Sequence, residues 1–158
     1  MTRILFVCLG NICRSPLAEG LFIDKLKQAG LEAKYTVDSA GTSSMHEGEL
    51  ADSRTRENAR KNGIELITRS RPFSKQDFIA FDLILTMDQS NYSHVMMWEP
   101  AFVEKVAVVK MMRDFDLHSP GADVPDPYYG GEQGFQRVFD ILDHSTGELL
   151  NHLEGRHK

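Results

Sequence analysis

The stretch from Ile4 to Ala29 constrains this chain more than any other. Ile4-Leu5-Phe6-Val7 is an unbroken apolar run of strand length, the pattern of a strand buried on both faces. Eight residues follow, Cys8-Leu9-Gly10-Asn11-Ile12-Cys13-Arg14-Ser15, and then Pro16 opens a segment in which Leu17, Leu21 and Leu26 recur near helical spacing up to Gly30. Pro16 suits the first helical position, where its missing N–H costs nothing, and Ser15 before it reads as an N-cap. The chain therefore predicts a strand, a tight loop and a helix whose N-terminus receives that loop.

The alternation continues. Strands are predicted at Tyr35–Ala40, Ile64–Ile67, Leu83–Thr86 and Val106–Val109. Helices are predicted at Ala51–Asn62, shortly after Ser74, at Ser90–Met97, and over Glu132–Leu153, where Phe135, Val138, Phe139, Leu142, Leu149, Leu150 and Leu153 form a stripe. Strands alternating with helices indicate an α/β fold, a parallel sheet with helices on both faces, and ligands at the carboxyl ends of its strands. The 158 residues, 41% of them hydrophobic, fit a single domain spanning 1–158. One long irregular stretch, Asp114 to Gly131, holds three prolines; a loop of that length in a compact domain is usually functional or disordered.

Charge and cysteine usage narrow the function classes. Eighteen Lys and Arg, scattered along the chain, against 23 Asp and Glu give a net charge of −5, which argues against nucleic acid as a partner. No segment approaches the roughly 18 apolar residues of a membrane span. Cys8 and Cys13 lie too close together to frame a disulfide scaffold, so a reducing, cytoplasmic setting is expected.

The loop combines a thiol, a flexible backbone, a fixed cation and a hydroxyl directly upstream of a helix N-terminus. Successive N–H groups can form an anion nest, the helix end adds positive potential, and a guanidinium grips two oxyanion oxygens at once. The same field favours the thiolate of a cysteine beside it. The loop lacks the Gly-Lys-Ser/Thr ending of a nucleotide-binding P-loop. A phosphate-accepting Cys8 with Arg14 as clamp is the chemistry these residue types suit.

Val-Cys-Leu-Gly-Asn-Ile-Cys-Arg-Ser-Pro at Val7 to Pro16 resembles the signature of the low-molecular-weight protein tyrosine phosphatases. The likeness extends through Asp38-Ser39-Ala40-Gly41-Thr42, Met87-Asp88 and Asp-Pro-Tyr-Tyr-Gly-Gly at Asp126 to Gly131. The resemblance implies a flavodoxin-like three-layer sandwich with a four-stranded parallel sheet, no metal or other cofactor, and hydrolysis of protein phosphotyrosine through a phosphocysteine. Cys8 is then the nucleophile, Arg14 the clamp, and Leu9, Gly10, Asn11, Ile12, Cys13, Arg14 and Ser15 the phosphate-binding loop. Asn11 is expected to hold the loop's backbone, Ser15 to donate to the Cys8 sulfur, and Asp88 to join a hydrogen-bond network beneath, although Asp88 also reads as a helix N-cap. A departing phenolate needs a proton, since the tyrosine hydroxyl titrates near ~10. Composition leaves Asp114, Asp116, Asp123 and Asp126 open for that role, and the resemblance selects Asp126. Met45, His46, Tyr128 and Tyr129 are implied to wall the cleft, the two tyrosines being phosphorylated in some relatives. Cys13 is implied to form a reversible disulfide with Cys8. Expected partners are phosphotyrosine proteins and inorganic phosphate or oxyanion inhibitors, with a monomeric or weakly self-associating chain.

Two departures stand out. Arg69-Ser70-Arg71 occupies the region where the family has a histidine before Ala-Arg, and Met45 stands where many relatives carry Trp or Tyr. Three competing readings follow from the same loop. An arsenate reductase needs cysteines downstream of Cys13, and there are none. A protein-arginine phosphatase tends to carry Thr at the place of Ile12. A non-catalytic phosphate or phosphopeptide binder would not require Cys8 and Asp126 together.

Overall fold

The computed structural model describes residues 1–99, 107–128 and 130–156. Four parallel strands, β1 (Thr2–Cys8), β2 (Tyr35–Gly41), β3 (Leu83–Thr86) and β4 (Val108–Met111), form one sheet in the order β2-β1-β3-β4. The helices are α1 (Arg14–Ala29), α2 (Ser53–Lys61), α3 (Asp77–Ala80), α4 (Gln89–Met97) and α5 (Gly131–Leu153).

β1 lies at the centre of the sheet, and its unbroken apolar run is what two covered faces require. Its side chains alternate between two cores. Ile4, Phe6 and Cys8 join the cluster built with Leu17, Leu21 and Phe22 of α1 and Leu142 and Leu149 of α5. Leu5 and Val7 face the opposite cluster, with Phe78 of α3 and Val95 of α4. Phe6 and Phe22 meet edge to face at 5.9 Å; truncating either to Ala would cost on the order of 3–5 kcal/mol. The register pairs Cys8 with Gly41 and Val7 with Thr86, so the loop after β1 emerges at the carboxyl edge beside the ends of β2 and β3.

Two sequence expectations are corrected. Ile64–Ile67 is not a strand. It crosses α1, where Gly20 has no side chain: a Cβ there would stand 2.5 Å from Leu66 and 3.3 Å from Ile64. Ile64 and Leu66 are buried and Ile67 is exposed, so the strand-like alternation arises from packing on a helix instead of from sheet pairing. The fourth strand begins at Val108, where pairing with Leu83 starts, and runs through Lys110, whose charge hid it and suits an exposed edge. Val106, with which the expected strand began, lies outside the described residues.

The long irregular stretch is tied down at several points. Asp116, 2% exposed, accepts from the backbone N–H groups of His118 (2.8 Å) and Ser119 (3.2 Å) and from Arg113 Nε at 2.8 Å. Asp114 accepts from the Met111 N–H, Asp123 accepts from the Gln89 N–H at 3.0 Å, and the Val124 N–H donates to the Met87 carbonyl at 2.7 Å. The segment beyond Val124 is thereby delivered to the carboxyl edge of the sheet.

Candidate functional site

The loop between β1 and α1 is shaped from outside. The carbonyls of Cys8 and Leu9 accept from the N–H groups of Thr42 and Ser43 (both 2.9 Å), that of Ile12 from the Asp52 N–H (2.7 Å), and that of Gly10 from Ser70 Oγ (2.9 Å). Across a trans peptide, C=O and N–H point in opposite directions. Carbonyls turned outward therefore turn the amides of Leu9, Gly10, Asn11 and Cys13 the opposite way, to the inner side of the loop, where the Asn11 N–H donates to the Cys8 sulfur at 3.3 Å. The result is a concave rim of donors at the start of α1, suited to an oxyanion.

Asn11 sustains this curvature. Its φ is +56°, the one positive value among the described non-glycine residues, a conformation that asparagine tolerates better than most. The side chain is buried and fully used: Nδ2 donates to Ser15 Oγ (2.8 Å) and Ser39 Oγ (2.9 Å), while Oδ1 accepts from the Arg71 N–H (3.0 Å). Ser39 Oγ in turn donates to Glu19 Oε1 at 2.5 Å. Arg71 is fixed by Asp38 and Asp77. Ser70 and Arg71 thus support the loop where the sequence lacks the expected histidine. Gly41 passes so close that a Cβ on it would meet Leu9 O at 2.8 Å and Asn11 N at 3.1 Å.

Ser15 is not the helix N-cap. α1 begins at Arg14, Cys13 holds the cap position without a capping side chain, and Ser15 lies within the first turn. Its hydroxyl is 3.0 Å from Cys8 Sγ. Pro16 still falls among the first four residues, whose N–H groups have no helical acceptor.

Arg14 is 2% exposed. Nη1 donates to Asp88 Oδ2 at 2.6 Å and to the Val124 carbonyl at 2.9 Å, while Nη2 stands 3.7 Å from Asp126 Oδ2. Burial alone would lower the Arg14 pKa, but Cys8, Asp88 and Asp126 outweigh it and raise it. Asp88 makes two contacts: Oδ2 holds Arg14 while Oδ1 caps α4 by accepting from the Asn91 N–H at 2.8 Å.

These groups surround a cavity of about 340 Å³. Cys8, Leu9, Gly10, Ile12, Cys13 and Arg14 form its floor; Met45, His46, Asp126 and Tyr128 form its rim. Ser43 also lines it, a residue that no sequence motif singled out. Of the four carboxylates left open by composition, Asp126 is the one that lines the cavity, the other three being spent on holding the loop. His46 pairs with Glu49 at 2.9 Å, and Met45 is largely exposed. Tyr129 lies outside the described residues. Both cysteines are free thiols, and burial pushes the Cys13 thiol up to about 12, leaving it a neutral neighbour of Cys8.

Among the described residues, the cluster with metal-ligand types is Asp116, His118 and His144, whose ligand atoms lie within 4.8 Å of one another. Asp116 is already held by Arg113, and the imidazoles stack nearly parallel, 4.0 Å apart, so their in-plane lone pairs do not converge on one point. No described helix is long and apolar enough to cross a membrane.

Residues 3–158 match the family model described as low molecular weight phosphotyrosine protein phosphatase. The chain is 45% identical over 151 residues to a protein of that name from Schizosaccharomyces pombe, covering 93% of this chain and 94% of the relative. Among solved structures, a protein tyrosine phosphatase from Entamoeba histolytica superposes with a TM-score of 0.90 at 42% identity over 99% of this chain and 100% of that one. A Drosophila arginine phosphatase superposes with a TM-score of 0.88 at 28% identity, covering 98% of each chain.

Proposed function

The chain belongs to the low molecular weight phosphotyrosine protein phosphatase family and is an enzyme of that class, and we propose that it hydrolyses phosphotyrosine on protein substrates with Cys8 as nucleophile. The sulfur attacks phosphorus while Arg14 and the inward amides hold the equatorial oxygens, whose charge is the main thing phosphoryl transfer asks a protein to stabilise. Asp126 gives its proton to the departing phenolate oxygen, forming tyrosine and phosphocysteine. A water molecule then attacks phosphorus, Asp126 takes back a proton, and the sulfur leaves with the Ser15 hydroxyl donating to it. Inorganic phosphate is released and the site returns to its starting state. A nucleophilic thiol of this kind suits a reducing, cytoplasmic compartment.

The observation that carries this reading is that one cavity is lined by a thiol and a buried guanidinium from the loop after β1 and by a half-exposed carboxylate from the distant segment beyond Val124. The test is hydrolysis of an aryl phosphate in EDTA by wild type, Cys8→Ser and Asp126→Asn, with acid quench to trap the intermediate. The expected result is a cysteinyl-phosphate in wild type, no turnover in Cys8→Ser, and a loss in Asp126→Asn of about 10²–10⁴-fold for a poorly leaving phenol. Tight phosphate binding without turnover would replace this reading with a binding module. Preference for a phosphoarginine peptide over a phosphotyrosine peptide would replace the substrate.

A further inference from the structure

Arg54 lies at the start of α2 and belongs to none of the motifs discussed above, yet its guanidinium joins three segments around the cavity. Nε and Nη2 donate to the two oxygens of Asp52 at 3.0 and 2.9 Å, the bidentate geometry of a planar fork. The Asp52 N–H is the donor that holds the Ile12 carbonyl outward at 2.7 Å. The remaining arm, Nη1, donates to the Tyr128 carbonyl at 2.8 Å. The plane sits over the Tyr128 ring at 4.9 Å and over the Phe135 ring at 4.8 Å. Phe135 is buried against Ile12 and Cys13. Tyr128, finally, fixes the proposed acid: its N–H donates to Asp126 Oδ1 at 3.1 Å, leaving Oδ2 toward Arg14.

We propose that Arg54 is a positioning residue that ties the segment bearing Asp126 and Tyr128 to the phosphate loop, setting where the acid meets the leaving oxygen. This inference rests on the function proposed above. A single planar cation makes all of these contacts at once, and no other standard side chain carries a bidentate fork, a third donor and a stacking face together. The Tyr128 ring, backed by the guanidinium, is held upright as a wall of the cleft. An acid displaced by about 1 Å loses most of its proton-transfer advantage, whereas the nest of amides, anchored separately by Thr42, Ser43 and Ser70, is left in place.

The experiment compares wild type, Arg54→Gln, Arg54→Lys, Asp126→Asn and the Arg54→Gln/Asp126→Asn double variant. It measures kcat/KM for aryl phosphates whose phenols range from acidic to as basic as tyrosine, together with competitive inhibition by inorganic phosphate. With Arg54→Gln, kcat/KM is expected to fall about 10–100-fold for the most basic phenol and less than about 3-fold for the most acidic. Phosphate inhibition should stay within about 2-fold. In the Asp126→Asn background the same substitution should have almost no effect, because two residues acting through one step are non-additive. Arg54→Lys keeps the charge without the fork and should be impaired like Arg54→Gln; it also serves as the reading if Arg54→Gln does not fold. Equal losses for every leaving group, or an undiminished loss on top of Asp126→Asn, would overturn the inference. If Asp126→Asn itself shows no leaving-group dependence, it is the underlying assignment of Asp126 that fails.

Discussion

Replacing Glu19 by Gln should make the protein more stable at neutral and alkaline pH and leave it unchanged in acid. Glu19 is 4% exposed, beneath the phosphate loop, with Ser39 donating to it. Burial pushes its pKa from 4.5 to about 7; Asp38 adds to the rise, and Ser39, Thr68 and Arg71 hold it back. Below pH 4.5 both folded and unfolded chains carry the proton, and the group imposes no penalty. As pH climbs, the unfolded chain releases its proton first, so stability declines until the folded carboxyl ionises near pH 7, and is level above that. The separation of roughly 2.5 pKa units, at about 1.4 kcal/mol each, amounts to about 3 kcal/mol. Gln keeps an acceptor for Ser39 and cannot ionise. Urea unfolding of wild type and Glu19→Gln at several pH values from about 4.5 to 8 should therefore show curves that coincide in acid and diverge to about 3 kcal/mol, Gln the more stable. Asp52, Asp82, Asp116, Glu132 and Glu154, whose pKa values are lowered, give stability that is lost in acid, but they do so equally in both proteins and cancel in the difference. A pH-independent difference, or a Glu19→Gln variant less stable at pH 8, would mean that the folded protein holds the ionised Glu19 as readily as the unfolded chain does, and would refute the reasoning.

Asn11→Ala strands the buried Ser15 and Ser39 hydroxyls and the half-buried Arg71 N–H and places Ala at a positive φ; about 3–5 kcal/mol should be lost on urea unfolding, of which Asn11→Gly should restore about 1 by removing the backbone cost alone. Gly41→Ala forces a methyl against backbone atoms of the phosphate loop. Phosphate inhibition should weaken more than tenfold while urea stability falls by only about 1–3 kcal/mol, a separation that places the clash at the site and not in the core.

Much of this molecule is legible locally. The apolar run from Ile4 to Val7, the eight-residue loop and the helix behind it are encoded by neighbours in sequence, because strand burial, turn flexibility and helical periodicity each act over a few residues. The thiol, cation and hydroxyl of the site fall within that one segment. What spacing alone misread were the places where a distant element decides. Ile64–Ile67 alternates like a strand because it packs across Gly20. Lys110 belongs to a strand because Leu83–Thr86 offers it a ladder. Ser15 turns to a sulfur instead of capping its helix.

The supports of the site were hidden for the same reason. Asn11 meets Ser39 across 28 residues of sequence and Arg71 across 60; Arg54 meets Tyr128 across 74; Arg14 meets the Val124 carbonyl across 110. Which of the four loop carboxylates reaches the cavity likewise depends on where Arg113, Gln89 and Met87 pin that loop. By itself the sequence determined the loop that carries the proposed nucleophile and the kind of fold that presents it. Tertiary structure alone decided which remote side chains curve the loop, neutralise its arginine and hold Asp126 over the cavity, because hydrogen-bond partners are selected by strand register and helix crossing, and these exist only once the sheet has formed.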